Sequence, residues 1–378
     1  MKKVVLIPDS FKGTLSSDSI CNIVGGKVKE HFPECEIVSI PVADGGEGSV
    51  DCFLTALGGE KVYETVKNPY FEDMTSFFGL INNGETAVIE MASCAGLPLV
   101  EDRKDPRKTT TYGVGQLILA AAKKGCKKIV VGLGGSSTND AGAGAAAAIG
   151  IKFFDKEGKE FIPVGGTLID IAKIDISNKA KELEGIEIVT MCDIDNPAYG
   201  ETGAAYIFGP QKGADPEMVK ELDKGLVNIC DVIEKDIKVD VHTVPGGGAA
   251  GAMGAGMVAF FDSKLQMGIE TVLDTVDFDT VISDADMIFT GEGKIDTQSL
   301  RGKVVIGVAK RAKTKNVPVT AIVGGADDGI DKAYEMGVTS IFTINRLPQD
   351  LSISKHKSKE NLEATADNIL RLIKNCSK

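Results

Sequence analysis

Residues 6–17 read LIPDSFKGTLSS, and the reading of this stretch decides the fold. With Lys3, Val4 and Val5 before it, the run Lys3–Pro8 is short and almost continuously apolar, the pattern of a strand buried on both faces. It stops at Asp9, Ser10, Lys12 and Gly13. An amphipathic helical pattern follows from Ser16 to Phe32, with Ser16 as N-cap and Asp18 in the first turn. A second strand pattern, Glu36–Val42, also ends in acid and glycine, ADGGEGS over 43–49, before a helix to about Leu57. Strand, loop and helix, repeated, predict a parallel sheet with crossover helices, in which ligands sit beyond the carboxyl ends of the strands. PDSFKG and ADGGEG are therefore expected on one edge of one sheet.

Between about Glu60 and Met91 the pattern changes to short alternating runs, KVYETV, MTSFFGLI and TAVIEMA, which predict antiparallel strands. Helices and strands rich in glycine and alanine follow. From Asp286 the simple alternation returns: DMIFTGEG, the helix KVVIGVAKRAK, the strand VPVTAIVGG, a helix near Asp331, the strand VTSIFTI and a last helix from about Lys359. The two chain ends thus read as one α/β domain, residues 1–62 plus 284–378, interrupted by a second α/β domain, 63–283. Lys3–Pro8 and Met287–Thr290 are expected in the same sheet.

A chain of 378 residues exceeds what one hydrophobic core usually spans. Its hydrophobic share of 43% and charged share of 25% are those of a soluble globular protein, while 44 glycines exceed the norm. The net charge of −12 argues against a nucleic-acid partner, which demands clustered Lys and Arg. Eight scattered cysteines without a CxxC pair, and three histidines, weaken zinc and disulfide readings. The five-residue apolar run before Asp9 is too short for a signal peptide, and GGGAAGAMGAGMVAFF too short to span a membrane. A cytoplasmic protein is expected, with monomer and homodimer both open.

Several loops combine glycine with charge after an expected strand: PDSFKG (8–13), ADGGEG (43–48), GLGGSSTNDAGAG (132–144), CDIDNPAYGETGAAYIFGPQKGA (192–214) and TGEGKIDTQSLRGK (290–303). Singly, each reads as ordinary turn chemistry; their number favours a ligand. Glycine turns at helix N-termini present backbone N–H groups and the positive dipole end to phosphate. In GGSSTND, Gly134 and Gly135 permit close approach, Ser136, Ser137 and Thr138 offer hydroxyls, and Asp140 opens an alanine-rich helix. Lys12 and Lys294 each lie within four residues of an acid, as suits a cation meeting phosphate oxygens beside a carboxylate. There is no GxxxxGK[ST] loop and no GxSxG elbow, and the GxGxxG at Gly246, Gly248 and Gly251 lies in a stretch too glycine-rich to carry weight.

These loops, in this order, closely resemble those of the bacterial glycerate kinases, which phosphorylate D-glycerate with ATP. The resemblance runs from residue 1 to beyond Gly325, with ASCAGL (92–97) and TTTYGVG (109–115) as further family-like segments. It implies two α/β domains, the outer one built from both chain ends, with the active site in the cleft. It also accounts for Asp9, Ser10 and Lys12 at the strand mouth, as residues facing that cleft.

A glycerate kinase needs cations or N–H groups for the carboxylate, magnesium for ATP, and a carboxylate to take the hydroxyl proton. Asp193, after the strand IEIVTMC, is the favoured base, with Asp296 second and Lys12 assisting the transfer. Asp9, Ser10, Asp44, Ser136, Asn139 and Asp140 are expected around substrate, and Arg103 as a bidentate partner of its carboxylate. Gly134, Gly135, Lys212, Gly291, Glu292 and Lys294 are expected around ATP, and Asp44 on the Mg2+ ion. The resemblance favours the 2-hydroxyl as acceptor. Two rivals stand beside this reading: a nicotinamide-dependent oxidoreductase of a small hydroxy acid, which wants a convincing dinucleotide loop, and a non-catalytic carboxylate-binding protein, which wants fewer acids beside lysines.

Overall fold

The structure is a computed structural model and describes residues 1–43, 45–347 and 350–376. In chain order the strands begin with β1 (Lys3–Pro8), β2 (Glu36–Ser39), β3 (Glu60–Lys67), β4 (Asp73–Ile81) and β5 (Thr86–Glu90). They continue with β6 (Lys128–Gly132), β7 (Lys152–Phe154), β8 (Glu160–Phe161), β9 (Lys173–Asp175) and β10 (Glu187–Met191). The last are β11 (Lys264–Gln266), β12 (Met287–Gly291), β13 (Val319–Val323) and β14 (Val338–Thr343). The chain divides into two compact units, one of Met1–Ala43, Thr55–Leu57 and Met267–Lys378, the other of Asp44–Leu54 and Gly58–Gln266.

The first unit holds an all-parallel sheet in the order β14-β13-β12-β1-β2. Val4 pairs with Met287 and Ile7 with Thr290, so the two chain ends share one sheet, as expected. Val4 and Leu6 face a core cluster that includes Ile20, Val24, Leu362 and Ile369, from helices Ser17–His31 and Ser358–Cys376. Val5 and Ile7 point to the opposite face by the strand's two-residue period and are fully buried too. Burial on both faces is why this strand is continuously apolar. Ser16 caps its helix as expected, its hydroxyl accepting from Ser19 N at 3.2 Å.

The second unit has a mixed sheet ordered β11-β10-β6-β5-β4-β3. β5, β6, β10 and β11 are parallel, and β3-β4-β5 are antiparallel, which matches the change of pattern read near Glu60. A small antiparallel sheet, β8-β7-β9, accompanies it. Its core gathers Phe78, Ile89, Leu117, Ile129 and Leu222.

The units change at 43/44 and 266/267, with 55–57 returning to the first, rather than at 62/63 and 283/284. Hydrogen bonding explains the first difference: β3 pairs with β4 from Glu60 to Lys67, and a cut after residue 62 would split that ladder. Side-chain packing explains the second, because Gly307 on the helix Val304–Thr314 sits directly on Ile269 of the helix Gly268–Thr275. Among the described residues, no helix is long and apolar enough to cross a membrane.

Candidate active site

In the first unit the chain leaves β1 toward β2 on one side and β12 toward β13 on the other. The carboxyl ends of β1 and β12 therefore flank the sheet's topological switch point, where open α/β sheets bind ligands. Asp9 and Glu292 are the first residues beyond those ends. Asp9 N donates to Gly291 O at 2.8 Å, extending the ladder, and Ser10 N donates to Asp9 Oδ1 at 2.6 Å. Phe11 and Leu15 exchange backbone bonds of 2.8 and 3.1 Å, closing a small turn that buries Phe11 and leaves Lys12 exposed. Gly291 is obligatory here, since a Cβ would lie 2.0 Å from Ile322 O.

Glu292 is only 6% exposed. Its Oε1 is buried with no hydrogen-bond partner, while Ser299 faces the carboxyl group. Burial, aided by the nearby charges of Asp9 and Asp296, pushes this carboxyl up to about 7. Asp296 serves a different purpose: its Oδ1 accepts from Gln298 N at 2.8 Å and Ser299 N at 3.1 Å, an Asx turn. Partial burial raises its pKa, but those backbone donors and the charges of Lys303 and Lys294 outweigh it and leave the group below its ordinary value. Lys294 is exposed and paired with Asp327 at 2.7 Å.

In the second unit the loop after β6 is locked from several sides. Gly134 N donates to Gly45 O at 3.0 Å, so GLGGSS and ADGGEG, noted separately in the sequence, stack backbone on backbone. A Cβ on Gly134 would lie 2.5 Å from Gly46 Cα, and Gly135 has φ +76°. The family-like segments supply the rest of the frame. Ser137 N donates to Ala95 O at 2.9 Å, and Thr109 Oγ1 to Ser137 O at 3.0 Å.

Asp140 is fully buried and accepts from Thr111 N (2.7 Å), Thr111 Oγ1 (2.8 Å), Gly142 N (3.3 Å) and Gly144 N (3.3 Å). Burial raises its pKa against these donors. Its oxygens thus hold the start of the helix Ala143–Ala148. Asn139 is also fully buried, yet neither Oδ1 nor Nδ2 finds a partner, and nor does Thr138 Oγ1. Lys212 is buried beside them, its Nζ donating to Ser136 Oγ at 2.9 Å and Thr138 O at 2.6 Å. Burial pushes its pKa down to about 7, with Asp140 opposing the fall.

Asp193, after β10, is exposed. Arg103 is occupied elsewhere: its guanidinium grips Glu72 through bonds of 3.0 and 2.6 Å and lies 4.2 Å over the Tyr70 ring. A free bidentate site for a substrate carboxylate is not what this side chain presents. Asp44 lies outside the described residues. Among the described residues, no group of three or more His, Cys, Asp or Glu side chains is arranged to hold a metal ion.

The structure adds residues the sequence reading passed over. Glu90, at the end of β5, is buried and accepts from Val50 N at 2.6 Å and Gly48 N at 3.2 Å, anchoring the start of the helix Ser49–Leu57. The signal was present in TAVIE, an apolar strand ending in an acid like the others. Thr111 and Ser299 lie inside marked segments, TTTYGVG and TGEGKIDTQSLRGK, but nothing in those runs singles them out, because their roles depend on the acids that fold against them.

A family model described as the glycerate kinase family matches residues 4–374. The glycerate kinase of Bacillus cereus (strain ATCC 10987 / NRS 248) is 43% identical over 368 residues, 97% of each chain. The glycerate 2-kinase of Escherichia coli (strain K12) is 42% identical over 343 residues, 90% of each. A crystal structure from Salmonella typhimurium LT2, of a protein assigned as a glycerate kinase 2, matches with a TM-score of 0.88 at 38% identity, covering 100% of this chain and 99% of that one. With a family match over nearly its whole length and relatives of this similarity, the chain belongs to the glycerate kinase family.

Proposed function

We propose that the protein phosphorylates D-glycerate with ATP, transferring the γ-phosphoryl group to the 2-hydroxyl to give 2-phosphoglycerate and ADP. The observation that carries this reading is the 42% identity, over 90% of both chains, to a relative named for 2-kinase activity. The loops support it, since β1, β6, β10 and β12 each release a glycine- or acid-rich loop at the carboxyl end of a parallel strand.

Phosphoryl transfer asks the protein mainly for positioning and charge stabilisation. Lys12, exposed on the turn after Asp9, is suited to phosphate oxygens as a point charge. Gly135, with φ +76° beside the Gly134 stack, offers backbone without a side chain of its own. Magnesium enters as part of the nucleotide substrate, with Asp44 the residue proposed to meet it.

Incubation with D-glycerate and MgATP, followed by phosphorus NMR, tests the proposal. The expected new resonance is that of 2-phosphoglycerate. A 3-phosphoglycerate resonance would overturn the choice of hydroxyl, and no ADP from a folded protein would overturn the activity.

A further inference from the structure

We propose that Glu292 is the proton acceptor for the attacked hydroxyl of glycerate, held beside Asp9 at the switch point of the first unit's sheet; the inference rests on the glycerate kinase reading. Three observations carry it. The first is position: Glu292 directly follows β12 where that strand borders β1, the place where a parallel sheet of this order receives ligands.

The second is its unfinished hydrogen bonding. A buried carboxyl oxygen without a partner is costly, and Oε1 is in that state, so a substrate hydroxyl would complete the group. Asp296, by contrast, has its carboxylate committed to the backbone of its own turn.

The third is the charge around it. Facing the carboxyl are Ser299, Asp9, Lys303 and Asp296. Lys294, two residues on, is paired with Asp327, and the backbone of Phe11 and Lys12 packs on Gly293. Burial together with the charges of Asp9 and Asp296 raises the group to about 7, against Ser299 and Lys303. That is the range in which a carboxylate both accepts a proton and releases it at neutral pH.

The step balances. As the hydroxyl oxygen bonds to the γ-phosphorus, its proton passes to Glu292. The bond from that phosphorus to the bridging oxygen breaks, and ADP leaves with the electron pair. Glu292 then returns the proton to solvent.

The test compares wild type, E292Q and E292D in kcat across pH with D-glycerate and MgATP, together with nucleotide affinity by calorimetry. Wild-type kcat is expected to rise with pH through about 7. E292Q should lose roughly 10²–10⁴ in kcat and the rising limb, with nucleotide affinity retained. E292D should recover part of the rate with a displaced limb, and it carries the test if E292Q misfolds by circular dichroism. Near-normal kcat in E292Q, an unchanged profile in E292D, or a loss confined to nucleotide affinity would each overturn the inference while the kinase reading stands. A wild type that turns over no glycerate would overturn both.

Discussion

Lys212 Nζ donates to Ser136 Oγ at 2.9 Å across 76 residues of sequence, and the same ammonium group reaches Thr138 O at 2.6 Å. A buried lysine with its charge disfavoured by desolvation thus braces the GGSSTND loop from beneath. The brace carries a stability cost that depends on pH.

The unfolded chain holds the Lys212 proton up to about 10.5 and the folded chain only up to about 7. Between these values the unfolded state binds more protons, so wild-type stability gains from this group as pH rises through the window. Lys212→Met keeps the stem but removes both donors and the titration. Urea midpoints should show wild type gaining on the variant from about pH 7 to about pH 9.5. The orphaned Ser136 and Thr138 acceptors should cost the variant about 1–3 kcal/mol at the upper end. A constant difference across pH would show that Lys212 keeps its ordinary pKa.

Glu90→Ala should destabilise the second unit. Two backbone N–H groups, of Gly48 and the fully buried Val50, lose the carboxylate that accepts from them, at a cost of about 1–3 kcal/mol. Chemical denaturation reads the loss. Hydrogen exchange should place its first effect on the amides of 48–52.

Gly134→Ala tests how tightly the two glycine loops stack. The added methyl would meet Gly46 Cα at 2.5 Å and Gly46 N at 2.8 Å, both backbone atoms that cannot rotate away. Overpacking of this kind costs roughly 1–3 kcal/mol. The thermal midpoint should fall, and ATP turnover on glycerate should fall with it. A variant as stable as wild type would show that the loops part easily.

Asp296→Asn and Asp296→Ala should separate a turn-former from a base. Asparagine retains an oxygen able to accept from Gln298 N and Ser299 N, so its kcat should stay within about tenfold of wild type, well short of the loss expected on removing a proton acceptor. Alanine opens the turn and should lower activity further. Equal, large losses in both would give the base role to Asp296, the second candidate after Asp193.

Much of the fold could be read in short windows. A strand's period and a helix's cap depend on residues a few positions apart, so β1 and the Ser16 cap appear in the sequence as they do in the structure. The sharing of one sheet by the chain ends also followed, because the alternation of strand and helix stops near Glu60 and resumes near Asp286. The loop motifs marked where chemistry should gather and the family they resemble.

What the tertiary structure alone decided is which charged groups lose their water. Lys212 and Glu292 sit in polar, glycine-rich loops like those of Lys294 and Asp193, yet the first two are buried and the second two exposed. Arg103, a candidate by residue type, is held by Glu72, which lies 31 residues earlier in the chain. Burial and partnership arise from packing between distant segments, and desolvation follows from that packing. It raises the Glu292 carboxyl and lowers the Lys212 ammonium to the same neutral range, a property that no local pattern of residue types encodes.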